Sequence, residues 1–290
     1  MVAQGAALAT VQIVPQTLHL WRARHSDFSG MQDSLATLLS DSEAARAARY
    51  KFPEPRERFT VGRAVLRWIL SRYIDVAPDR LQLTQEAHGK PCLRDSEHGW
   101  LQFNLAHTDA LVLCLVGSGL AVGVDVEMAR SITGMNRLAS LLLTADQRHI
   151  FDGLAEGARP EPLLSMWTFM EALGKATGLG LASALKAFRL EVDSVTGMPV
   201  PEQVCCGSMG CYAVRALELA EGACPELVEG HVGALAGGVP VGAAQADPES
   251  LVPIPEGYVV SPQDVLAACV TQTPRSLGHT TLDENAVRAE

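Results

Sequence analysis

The stretch Leu120-Ala-Val-Gly-Val-Asp-Val-Glu127 decides how this chain is read. Its apolar and charged residues alternate from Val122 onward, which is the period of a β-strand with one buried face. Val122, Val124 and Val126 then point into a core. Asp125 and Glu127 point the other way, roughly 7 Å apart along the backbone. Two carboxylates on one face repel each other unless a cation lies between them. Oxygen donors of this kind suit Mg²⁺, which takes one or two carboxylates and completes its shell with water and substrate phosphates. The same pattern also describes an ordinary exposed strand face, so the flanking sequence has to decide between the two.

Downstream, Trp167-Thr-Phe-Met-Glu-Ala-Leu-Gly-Lys175 reads as a helix. Trp167, Glu171 and Lys175 recur every four residues and share one face, while Met166, Met170 and Leu173 face a core. Pro160 and Pro162 precede this helix, which is expected from Leu163 to Thr177, and Gly178 and Gly180 end it. Glu171 and Lys175 form either a plain helix ion pair or a third metal ligand beside a phosphate contact.

Upstream, Leu111–Val116 and Leu120–Glu127 read as a hairpin across Gly117-Ser118-Gly119. Asn104-Leu-Ala-His107 closes a short strand, and Lys90 stands in the turn His88-Gly-Lys-Pro91. Val11–Trp21 reads as the first strand. Ser40-Asp-Ser-Glu43 has the form of a capping box, so a helix carrying Arg46 and Arg49 starts there. A longer helix is expected from about Glu54 to Ile74, with Arg63 and Arg67 four apart on one face. Helix is also expected over Ile132–Phe151, and strands over Phe188–Val192, Cys211–Leu217 and His231–Ala236.

Composition bounds the possibilities. A length of 290 residues is compatible with about two domains. With 48% hydrophobic and 19% charged residues the chain buries a core and is not disordered as a whole. A net charge of −10 argues against binding a nucleic-acid polymer through bulk charge. Yet Arg46–Arg72 holds eight basic residues against two acidic ones, which points to a local anionic ligand. The longest uncharged apolar stretch, Ala110–Val124, has 15 residues and is broken by glycine, short of the roughly 20 a membrane span needs. No Lys or Arg precedes Arg22, so a secretory signal is not expected. The 7 cysteines are odd in number and include no Cys-x-x-Cys, so idle thiols in a reducing cytoplasm are expected rather than a zinc site or a full disulfide framework. After Gly237 the chain becomes acidic and rich in Gly, Pro and Ala, which reads as a tail.

Taken together, the ordered motifs Gly62-Arg-Ala-Val-Leu-Arg67, Gly89-Lys-Pro91, Phe103-Asn-Leu-Ala-His107, Gly123-Val-Asp-Val-Glu127 and Trp167-x-x-x-Glu171-Ala-x-x-Lys175 resemble the 4′-phosphopantetheinyl transferase superfamily, in its long surfactin-activating (Sfp-type) branch. The resemblance covers about residues 15–236. It implies an α+β fold of two similar α+β halves, a pseudodimer with the active site in the cleft between them. The expected division is 1–118 for the N-terminal half, 119–236 for the C-terminal half and 237–290 for the tail. It implies an enzyme that moves the phosphopantetheine arm of coenzyme A to a serine of an apo acyl or peptidyl carrier protein of fatty-acid, polyketide or nonribosomal-peptide synthesis. The product is 3′,5′-ADP, and the enzyme is Mg²⁺-dependent, monomeric, cytoplasmic and free of membrane or nucleic-acid partners. By matching motif, Asp125, Glu127 and Glu171 resemble the metal ligands, and Lys175 the pyrophosphate contact. His107, Lys90, Arg67 and Lys51 resemble contacts to the 3′-phosphate and adenosine end. Glu171, or a water positioned by Glu127, is the base. Met170 stands where many relatives carry Lys or Arg, and residues 223–230 are inserted. These departures motivate the alternative of a non-catalytic relative that binds coenzyme A or a carrier protein.

Overall fold

Two long helices, Pro53–Ser71 and Pro160–Thr177, each open on Pro-Glu-Pro and organise the chain around them. Proline suits the first helical turn because the N–H it lacks has no intrahelical acceptor there. A computed structural model describes residues 11–259 apart from 16, 87–88, 129–133, 201, 206–210, 218–230 and 239–255, together with 263, 265 and 266. In chain order the elements of the first half are β1 (Leu18–Arg24), α1 (Gln32–Ala36), α2 (Asp41–Ala48), α3 (Pro53–Ser71), β2 (Leu83–Gln85), β3 (Pro91–Leu93), β4 (Leu101–His107) and β5 (Leu111–Ser118). The second half follows with β6 (Val122–Met128), α4 (Met135–Leu142), α5 (Ala145–Gly153), α6 (Pro160–Thr177), α7 (Leu181–Ala187), β7 (Glu202–Cys205), β8 (Cys211–Ala216) and β9 (His231–Gly238), before a last strand β10 (Glu256–Val259).

Two four-stranded sheets result, in the orders β10-β1-β5-β4 and β6-β9-β8-β7. Strand alternation gives each sheet two buried faces. In the first sheet Trp21, Val112 and Cys114 pack under α3, while Leu18, Leu20, Leu113 and Leu115 face the other way. There they meet Val122, Val124, Val126 and Leu235 of the second sheet. The opposite face of the second sheet carries α6 through Phe169, Leu173, Val214 and Ala236. The layers therefore run helix, sheet, sheet, helix, each half being α+β as expected.

Several expectations need correction. β5 and β6 form no hairpin. β5 already has β1 on one edge and β4 on the other, so the chain turns through Gly119, at φ 71°, and enters the second sheet. The first strand begins later than expected, after a turn in which Thr17 N–H donates to the Val14 carbonyl. Ser40 does cap α2, with Glu43 reaching back to the Ser40 N–H. The helical stretch after β6 is two helices, the second capped by Thr144 and Gln147. Phe188–Val192 forms only an isolated bridge, Val192 to Pro199. The strand after the insertion is intact, since β9 pairs with both β6 and β8, and the insertion itself lies outside the described residues. Beyond Gly237 the chain is not wholly a tail: β10 pairs parallel to β1, and Val265 is buried in the core under α3. Cys211 is disulfide-bonded rather than idle, at the end of a hairpin whose register sets Cys205 and Cys211 opposite each other.

Candidate active site

The site grows from one close approach. A Cβ on Gly123 would stand 2.0 Å from the Ala172 carbonyl oxygen and 2.5 Å from the Ala176 N, so only glycine lets α6 lie this near β6. That contact brings Glu171 and Lys175, on successive turns of α6, over the face of β6 that carries Asp125 and Glu127. Lys175 Nζ lies 2.6 Å from Asp125 Oδ1 and 3.1 Å from the Val124 carbonyl. Asp125 is 7% exposed, and its Oδ2 is buried without a hydrogen-bond partner. Burial raises the Glu171 carboxyl above the usual glutamate range. Lys175 opposes that shift, and the Asp125 and Glu127 charges add to it. The three carboxylates thus feel one another.

Among the described residues no three carboxylate, imidazole or thiol groups stand in a ready coordinating arrangement. The Lys175 ammonium sits on Asp125 instead. The donor set still fits Mg²⁺: it offers hard carboxylate oxygens, and one of them, Asp125 Oδ2, is buried with no other partner.

Beside Glu127 opens a cleft of about 870 Å³. Its far wall is α3, where Pro55, Arg58, Phe59, Gly62 and Arg63 form one helical stripe. Two guanidiniums lie over the Phe59 ring, Arg46 at 5.1 Å and Arg63 at 5.6 Å, and the Tyr50 ring is tilted against it at 5.5 Å. His107, at the end of β4, completes the wall, and Arg58 pairs with Asp109 just beyond it. Partial burial and the cations Lys175, Arg58 and Arg63 hold the His107 imidazole below the usual histidine range. Behind it, burial and then His107 and Arg58 push His25 down to about 4.

Not every expected contact reaches this cleft. Arg67 is 1% exposed. Its Nε lies 2.5 Å from Glu43, and its Nη1 donates to the carbonyls of Pro78 and Leu81 at 2.7 and 3.1 Å. It is scaffold for the junction of α2 and α3 and borders only a smaller cavity of about 390 Å³. Arg63, one turn earlier, lines both cavities and only grazes Glu43 at 3.7 Å. Lys90 Nζ donates to the Val122 carbonyl at 2.9 Å, and its flanking residues, not Lys90 itself, line the cleft. Lys51 is exposed ahead of α3 and lies outside both linings. Met170 is 3% exposed in the core of the second half, so its lack of charge leaves no gap at the carboxylates. The residues missed by the sequence reading are Arg58, Phe59, Tyr50 and His25. For the first two a signal existed: spacings of three and four from Pro55 to Arg63 mark a single helix face.

Two family models match successive parts of the chain. Residues 19–118 match the N-terminal 4′-phosphopantetheinyl transferase model, and residues 121–216 match the model of the 4′-phosphopantetheinyl transferase superfamily. The 4′-phosphopantetheinyl transferase HetI of Nostoc sp. is 37% identical over 172 residues, covering 59% of this chain and 72% of that protein. A phosphopantetheinyl transferase of Thraustochytrium sp. is 26% identical over 198 residues, 63% of this chain and 69% of its own. The 4′-phosphopantetheinyl transferase Sfp of Bacillus subtilis is 21% identical over 168 residues, 57% of this chain and 73% of its own. The two matches meet at the turn where the chain passes from the first sheet to the second, and the chain belongs to the 4′-phosphopantetheinyl transferase superfamily.

Proposed function

We propose that this enzyme transfers the 4′-phosphopantetheine arm of coenzyme A to a serine hydroxyl of an acyl or peptidyl carrier protein and releases 3′,5′-ADP. The observation that carries the reading is the approach of Glu171 and Lys175 to Asp125 and Glu127 beside an arginine-walled cleft. Coenzyme A brings a pyrophosphate and a 3′-phosphate, and the cleft answers both with charge. Arg63, Arg46 and His107 take the nucleotide end. Planar guanidiniums suit phosphate oxygens, and those over Phe59 are held in place by its ring. Lys175 takes the pyrophosphate as a point charge. Asp125, Glu127 and Glu171 would hold Mg²⁺, which when bound neutralises the pyrophosphate and draws charge from the phosphorus under attack.

The serine oxygen bonds to the phosphorus that bears the pantetheine arm, and the bond from that phosphorus to the bridging oxygen breaks. The ADP moiety leaves with that oxygen. The serine proton passes to Glu171, directly or through a water held by Glu127; a carboxylate that binds protons more readily than an ordinary glutamate suits the task. The protein has little covalent chemistry of its own to perform, so positioning and electrostatics dominate. The protein would work as a monomer in the cytoplasm. Among the described residues no helix is long and apolar enough to cross a membrane. Mass spectrometry of an apo carrier protein incubated with coenzyme A, Mg²⁺ and this enzyme tests the reading. The carrier gains the mass of the arm; a panel of carriers that all stay unmodified overturns it.

A further inference from the structure

Among the described residues β6 has a strand partner on one edge, β9. It pairs with β9 through Val122↔Gly237 to Met128↔His231, and the Gly238 N–H donates to the Ala121 carbonyl. Backbone groups of alternate residues therefore point at β9, and those of Val122 and Val124 point away from it, towards β4. β4 is the edge strand of the other sheet and forms no ladder with β6. Side chains take the place of the ladder. Lys90 Nζ donates to the Val122 carbonyl at 2.9 Å, and the Val124 N–H donates to Asn104 Oδ1 at 2.9 Å. Lys175 Nζ donates to the Val124 carbonyl at 3.1 Å. Asn104 is 4% exposed, and burial lowers the pKa of the Lys90 ammonium, so neither bond is a loose surface contact.

We infer that Lys90 and Asn104 are positioning residues: from the N-terminal half they fix the free edge of β6 and so aim Asp125 and Glu127 at Glu171. The carboxylates sit one and three residues beyond Val124, on the strand that these bonds hold. Lys175 touches the same edge but also touches Asp125, so it belongs to the site itself. This assignment rests on the function proposed above and gives Lys90 a different task from a phosphate contact.

The test is Mn²⁺ binding by the full-length protein, followed by electron paramagnetic resonance with coenzyme A present and no carrier. Removing a supporting residue behind metal ligands weakens metal binding about tenfold or more. Lys90→Met and Asn104→Leu should each weaken Mn²⁺ binding by that factor, and Lys90→Arg should restore it. The sign is decisive for Lys90, because losing a positive charge near a cation site would by itself tighten the cation. Coenzyme A binding measured in a chelator should stay within about twofold of the parent for Lys90→Met. Unchanged or tighter Mn²⁺ binding in Lys90→Met, or a loss of coenzyme A binding in the chelator, overturns the inference. Should Asn104→Leu fail to fold, the two Lys90 variants decide alone. If the parent itself neither binds Mn²⁺ nor transfers the arm, the functional reading fails, and amide exchange at Val124 judges the seam. At least tenfold faster exchange in Lys90→Met upholds it, and an unchanged rate sinks it.

Discussion

The two halves share a plan and differ in what they do with charge. Each lays a long Pro-Glu-Pro helix on one face of a four-stranded sheet, and each buries the sheet's other face against its twin. In the first half a charge is built into the scaffold. Arg67 is sealed inside, held by Glu43 and two backbone carbonyls, and no buried acid near it is left over. In the second half charges are crowded together and only partly answered. Asp125 keeps one buried oxygen without a partner, and Glu171 is pushed towards its neutral form. A satisfied buried charge holds a fold together, whereas an unsatisfied one is kept because something else will bind it.

Removing a charge should therefore have opposite effects on the two sides. Glu171→Gln should lower carrier modification by roughly 10³-fold. It should also raise the melting temperature at neutral pH. A carboxyl whose folded pKa is raised favours the folded state below the unfolded pKa, and that contribution is lost as pH rises through the folded value. At neutral pH the ionised Glu171 works against folding, and glutamine removes the conflict. A fall in melting temperature would show that Glu171 is part of the scaffold. Arg67→Met, in contrast, leaves the half-buried Glu43 with one cation fewer and two buried carbonyls without their donor, and should cost about 3–5 kcal/mol in chemical denaturation. A small loss there, with a large rise in the KM for coenzyme A, would turn Arg67 back into a ligand residue. Arg63→Met should show the smallest effect, a rise of about tenfold in that KM at nearly unchanged stability, worth about 1.4 kcal/mol. A rise below twofold would place the nucleotide elsewhere in the cleft.

The carboxylate side of this comparison was legible in the sequence because local periodicity fixes it. A strand period sends Asp125 and Glu127 to one face, a helix period stacks Glu171 and Lys175, and Gly123 in the same motif permits the contact that joins them. The arginine side was legible as composition and as a shared helix face, but not residue by residue. Arg63 and Arg67 are separated by one turn, and nothing local tells which of them faces the cleft. The choice is made by α2, which delivers Glu43 to Arg67, and by the carbonyls of Pro78 and Leu81. Lys90 was legible as a turn residue, but its acceptor lies 32 positions away on a strand of the other half. The misread hairpin has the same cause. Leu111–Ser118 and Val122–Met128 are adjacent strands with a glycine turn between them, and only the occupied edges of β5 forbid their pairing.

The parallel strand β10 also bears on how the protein is made. It covers the outer edge of β1, pairing from His19 to Arg22. β10 follows β1 only after the eight strands between them, so this edge stays open until that stretch of chain has been synthesised. An uncovered edge is a template for a strand from another molecule. Such distant pairings also form slowly, because the intervening loop must close first. Charge on an edge strand discourages intermolecular pairing, and β1 carries Arg22 and Arg24 within its own length. A segment late in the chain thus completes the N-terminal half.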